Sequence, residues 1–241
     1  MKKISILILL LSIISCKTVQ VNQLSQKTTK TVVELGAIGK VTKNIETTVF
    51  QITTLPYYEQ KIRVAAGITT FTDNTFNAYV QAALQQNKKI KITYIDSVAN
   101  KPGYAHLQII DKVQLLNELN ATSNKPINTY LQNTNKSVII TSVSAYFDAI
   151  ELSSISQAEE VYLVNNKPQK YSLALVKNGK TFAVIDFSKA VPFAYTTASF
   201  CWKKEHGKIS IANIVEHRET CAKDTYKNVA KLNKKINYFK Y

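Results

Sequence analysis

Apolar and polar positions change their period several times along this chain, and each change predicts an element. Thr47–Ile52 and Lys61–Ile68 are short and rich in β-branched residues, as strands are. Thr31–Leu35 is a weaker strand signal, because Glu34 interrupts the apolar run. From residue 72 to about 86 the spacing lengthens. Phe76, Tyr79, Val80, Ala83 and Leu84 recur at three and four residues, and Thr72 or Asp73 stands where a helix cap belongs. Lys89–Tyr94 then alternates strictly, which predicts a half-exposed antiparallel strand. His106–Ile110 reads as another strand. Asp111 can cap a short helix carrying Val113, Leu116 and Leu119, and Asn124-Lys125-Pro126 opens a second, since Pro is tolerated in a first helical turn. Ser137–Val143 is apolar on both faces and predicts a central strand.

Beyond Glu160 the pattern becomes a series of short strands with turn residues between them: Val161–Val164, Tyr171–Val176, Thr181–Phe187, Phe193–Trp202 and Ile209–Val215. That spacing predicts an antiparallel meander, with Asn178-Gly179 as its strongest hairpin signal and His206-Gly207 as another turn. The last twenty residues, after Cys221, read as helical. No internal repeat is present. The fold class is therefore α+β: a mixed α/β layer over residues 31–155, then an antiparallel sheet and a terminal basic helix over 156–241, as two subdomains or one continuous domain.

The first residues have a separate logic. Lys2 and Lys3 precede the mostly apolar run Ile4–Ile14, whose 11 residues are too few to span a bilayer as a helix but suit a secretory signal peptide. Ile13-Ile14-Ser15-Cys16 resembles the lipobox of bacterial lipoproteins. That resemblance implies removal of residues 1–15 as a signal peptide and acylation of Cys16, typically with palmitate among its chains. It implies a membrane-anchored envelope protein, and Lys17 in place of Asp favours the outer membrane of a Gram-negative cell. It says nothing about the folded domain. Residues 16–30, polar and without a sustained period, read as the lipidated tether.

Composition narrows the remainder. With 45% apolar residues, 6 Gly and 5 Pro, the 241-residue chain is neither disordered nor fibrous, and it is long enough to bury a proper core. Its net charge of +15 is uneven: residues 111–160 carry 3 basic and 6 acidic groups, whereas residues 161–241 carry 15 and 5. Lys223, Lys227, Lys231 and Lys235 recur every four residues, opposite Val229, Leu232, Ile236 and Phe239, as on a basic amphipathic helix that can lie on an anionic surface. The alternative is a helix docked by its apolar face with its lysines merely solvated. Export removes nucleic acid as a partner and leaves an envelope protein, an anionic lipid or a polysaccharide.

Cys201 and Cys221 are the two thiols left after lipidation. In an oxidising compartment they predict a disulfide, stabilising by about 3 kcal/mol on the chain-entropy argument. If His206-Gly207 is a two-residue turn, Cys201 lies opposite Ala212, so the chain after Glu216 must fold back to join the sulfurs. Metal and catalytic motifs are not evident. His106, His206 and His217 lack ligand spacing, and Glu159 and Glu160 point to opposite strand faces. Glu205-His206 and Glu216-His217-Arg218-Glu219 leave a weak option for a metal or general base. Tyr57, Tyr58 and Tyr104 sit near Pro56 and Pro102, where they either pack a loop or stack on a ligand, while Tyr79, Tyr94 and Tyr162 suit a core. No cofactor is indicated. The reading is a non-enzymatic, lipid-anchored envelope protein that binds a partner protein or an anionic envelope component, with a cell-wall or glycan hydrolase as the alternative.

Overall fold

Short-range signals set most element ends. The computed structural model describes residues 18–21, 24–43, 48–134, 136–167, 170–216 and 219–233. In chain order these form β1 (Thr18–Val21), β2 (Leu24–Thr28), β3 (Ile38–Lys43), β4 (Thr48–Thr54), β5 (Ile62–Thr70), α1 (Asp73–Gln85), β6 (Gly103–Ile109), α2 (Lys112–Asn120), α3 (Lys125–Asn133), β7 (Ser137–Tyr146), α4 (Ala149–Gln157), β8 (Glu160–Lys167), β9 (Lys170–Lys177), β10 (Lys180–Asp186), β11 (Val191–Glu205) and β12 (Lys208–Glu216). Thr72 caps α1 reciprocally with Thr75, Asp111 accepts from the Gln114 N–H at 2.9 Å, and Pro126 lies in the first turn of α3. Asn178-Gly179 and His206-Gly207 both have positive φ, as the tight turns of two-residue hairpins require.

The twelve strands of the described residues join in one antiparallel sheet built on a two-strand spine. β7 and β11 pair from Tyr146↔Val191 to Val138↔Ser199. At one end β7 continues to β6 and β11 to β2; at the other end β7 pairs β3 and β11 pairs β12. The result is an α+β protein dominated by its sheet. Nearly every residue of β7 is buried, which is why its sequence is apolar on both faces.

Four expectations are corrected by this topology. The C-terminal strands do not form one meander: β8, β9 and β10 follow one another, but β11 leaves them and pairs β7. Val191–Tyr195 are all buried and need a central position, whereas β10 is largely exposed and serves as an edge. Residues 18–28 are not a tether. They fold as the β1–β2 hairpin, with Val19 and Val21 buried and Gln26 satisfied inside the sheet. Lys89–Tyr94 runs without a strand partner. Its alternation reflects Ile92 and Tyr94 packing inward against the small core beneath α1. Thr31–Leu35 is a connection whose Val33 and Leu35 are nonetheless buried.

Two cores flank the sheet. The smaller one gathers Phe71, Tyr79, Tyr104, Tyr146 and Phe193 beneath α1, with Phe71 and Tyr104 ring centroids 4.7 Å apart. Each such ring contributes roughly 1.5–3 kcal/mol through burial. The larger core includes Tyr58, which stacks on Tyr171 at 5.4 Å and donates to the Gly36 carbonyl at 2.9 Å. Tyr58 and Tyr104 therefore pack, Tyr57 is exposed, and Tyr94 and Tyr162 are half-buried.

Candidate functional site

The site begins where the spine ends. The β11–β12 hairpin turns at His206-Gly207, and one extra residue, Ala212, shifts its register so that Cys201 faces Asn213. That bulge also places Glu216 opposite Ala198, one position from the Thr197 expected of an unbroken ladder. Beyond β12 the chain folds back on β11. Cys201 and Cys221 form a disulfide with Cα atoms 5.6 Å apart, an ordinary separation for such a bridge. Trp202 N–H donates to the Tyr226 carbonyl at 2.9 Å, and Tyr226 N–H returns to Trp202 at 3.0 Å. The returning segment thus lies beside the part of β11 that has run past the start of β7.

This return replaces the expected helix. Residues 221–228 are turns and a bridge, and only Val229–Asn233 coil, as a short 3-10 helix. The disulfide and the Trp202–Tyr226 pairing fix backbone that a helix from Cys221 would have to release. Lys223, Lys227 and Lys231 are exposed but do not share one helical face; Lys235, Ile236 and Phe239 lie outside the described residues. Cys16 lies outside them as well.

Between the returning segment, α3 and the spine lies a groove of about 380 Å³. Leu131, Phe200, Trp202 and Val229 supply a buried apolar floor, and Val138 adds a half-buried wall. Lys136 and Lys227 are exposed members of the lining, and no Asp or Glu stands among the described lining residues. Lys227 Nζ donates to the Glu219 carbonyl at 3.0 Å and has no carboxylate partner among the described residues. Ser137, in the same wall, is buried and its hydroxyl finds no partner among the described residues. A second groove, near α4, holds four lysines: Lys91 pairs with Asp148 at 2.9 Å and Lys189 with Glu151 at 3.1 Å, while Lys88 donates to the Ser188 carbonyl at 2.9 Å and Lys89 is exposed.

A polar cluster lies inside the opposite end of the spine. Ser144 Oγ donates to Gln26 Oε1 at 2.6 Å, Gln26 Nε2 donates to Ser142 Oγ at 2.9 Å, and Ser142 meets Thr196 Oγ1 at 2.7 Å. His106 Nδ1 lies 3.1 Å from Ser144 Oγ and 3.4 Å from Gln26 Nε2, which joins the imidazole to the cluster. His106 Nε2 is buried and unpartnered among the described residues, and burial holds the imidazole pKa below its ordinary value. Ser144 and His106 look like a nucleophile and its base, but Ser144 is fully enclosed and its hydroxyl is committed to Gln26. The cluster clamps β2 to β7 and β11.

The other titratable candidates are dispersed. His206 is exposed in its turn, Glu216 reaches Lys112 at 3.9 Å, and His217 and Arg218 lie outside the described residues. Glu159 accepts from the Asn178 N–H at 2.8 Å, while Glu160 pairs with Arg63 at 3.3 Å. Among the described residues no three His, Cys, Asp or Glu side chains gather as a metal site. Sequence reasoning singled out Lys227 but missed Lys136, Ser137 and Trp202, which meet it only through the return of the chain after β12. Comparison with protein-family models, curated proteins and solved structures finds no match.

Proposed function

We propose that this is a lipid-anchored envelope protein of the outer membrane, attached through Cys16, which binds an anionic envelope component with its C-terminal face. The observation that carries the binding role is the groove lined by Lys136 and Lys227, neither with a carboxylate partner among the described residues. The Cys201–Cys221 disulfide supports an oxidising compartment and holds the returning segment in place. The anchor rests on the lipobox-like Ile13-Ile14-Ser15-Cys16. Strand β1 begins at Thr18, two residues after Cys16, and two residues span at most ~7 Å. An acylated Cys16 would therefore hold the domain directly against the headgroups.

Two measurements test this reading. Cells grown with labelled palmitate should label the wild-type chain and not Cys16→Ser; an unlabelled wild type removes the anchor. Reversal of Lys223, Lys227 and Lys231 to Glu should reduce cosedimentation with isolated envelopes and flatten its salt dependence, since exposed charges are screened within ~10 Å at 0.1 M salt. Unchanged binding would make these lysines solvated surface only.

A further inference from the structure

We propose that the groove between α3, the β7–β11 spine and the returning C-terminal segment is a site for a single-chain anionic amphiphile, a hydrocarbon chain ending in a carboxylate or a phosphate. The inference deepens the binding role above by naming the ligand class. Its chemistry follows from the lining. Leu131, Val138, Phe200, Trp202 and Val229 offer apolar surface to a chain, and the Phe200 and Trp202 ring centroids lie 6.1 Å apart. Lys136 and Lys227 bring two positive charges to the same groove, with no carboxylate among the described lining residues to neutralise them. A ligand wholly apolar would leave both charges unused, and a wholly polar one would leave the aromatic floor uncovered.

Size and contrast support the same class. A groove of about 380 Å³ lies within the ~300–1,000 Å³ range of small-molecule sites. The groove near α4 keeps Lys88 and Lys89 after Asp148 and Glu151 pair the other two lysines, but Tyr146 and Val191 are its only apolar lining, so it has charge for an anion and no floor for a hydrocarbon chain.

Trp202 is the only tryptophan of the chain, so its emission reports on this groove alone. The mature, acylated protein in nanodiscs of neutral phosphatidylcholine is titrated with decanoate, decyl phosphate, decanol and inorganic phosphate. Decanoate and decyl phosphate should each give a saturable change in emission, with decanol and inorganic phosphate at least tenfold weaker. Lys136→Gln and Lys227→Gln should each weaken the anionic amphiphiles up to about fivefold, the scale of one exposed charge, and leave decanol unaffected. A preference for decanoate over decyl phosphate, or the reverse, identifies the headgroup. Equal responses to decanol and decanoate, no saturable change, or undiminished binding in both variants overturns the inference. Salt-sensitive envelope binding that survives such a failure would sink the groove and spare the functional reading. Amphiphile binding without envelope affinity would do the opposite.

Discussion

At one end of the paired strands β7 and β11, Ser142, Ser144 and Thr196 are tied to Gln26 and His106; at the other end, Ser137 and Ser199 border the groove with Lys136 and Lys227. The same strands and the same residue types serve both ends. In the first, Ser142, Ser144 and Thr196 each exchange hydrogen bonds with a neighbour, His106 Nε2 is the cluster's one unpartnered atom among the described residues, and the cluster is sealed between β2 and the spine. In the second, Ser137 lacks a partner, two charges lack counterions, and the space beside them is open. Buried polar groups that satisfy one another specify a fold. Polar and charged groups left over beside an apolar cavity are what a ligand site is made of. The contrast assigns the clamp to stability and the groove to binding.

The largest expected effect falls on the clamp. Gln26→Ala removes the acceptor of Ser144 and the donor of Ser142 and leaves a small void, so unfolding free energy should drop by about 2–4 kcal/mol. Denaturant melts of the mature chain measure it as a lower midpoint at unchanged slope. Binding of decanoate at the far end of the spine should stay as it was. A loss below about 1 kcal/mol would mean the clamp is ornamental, and the contrast between the two ends would fail.

A smaller effect should appear as a dependence on pH. Burial depresses the His106 pKa from its ordinary 6.5, because protonation would place a charged N–H at Nε2 where nothing accepts it. The unfolded chain then binds a proton more readily than the folded one. Stability associated with neutral His106 is present above about pH 6.5 and is lost as pH falls through that value toward the folded pKa. Glu34 shifts in the opposite sense, upward, chiefly through burial, so the difference between two chains is more telling than either curve. The stability gap between wild type and His106→Gln should narrow from pH 7 to pH 5. A constant gap would show that the imidazole is not held neutral by the fold.

Local rules reached β6, β7, β11 and most of the helices, but neither β2 nor the pairing of the spine. Asn178-Gly179, His206-Gly207, Thr72 and Asp111 act within a few residues of themselves, so their turns and caps could be read in order along the chain. α4 was missed although Asp148 and Glu151 carry a capping pattern, with the Asp148 N–H donating to Glu151 Oε2 at 3.3 Å. Gln26 looked like tether because its partners lie 80 to 118 residues away. The four-residue lysine spacing described a helix that the Cys201–Cys221 bridge and the Trp202–Tyr226 pairing do not permit. Periodicity records which side of a segment is buried. It does not record which strand lies beside it, and both the clamp and the groove are made by such neighbours.

The subtlest test separates the two ends through a single hydroxyl at each. Ser144→Ala deletes a donor that Gln26 uses and should destabilise by about 1–2 kcal/mol. Ser137→Ala deletes a buried hydroxyl with no partner, so the folded state loses a desolvation penalty and no hydrogen bond. It should leave stability unchanged or raise it by up to about 1 kcal/mol, read as a small rise in the thermal midpoint. A clear loss of stability in Ser137→Ala would instead give the hydroxyl a structural role and make the two ends of the spine alike.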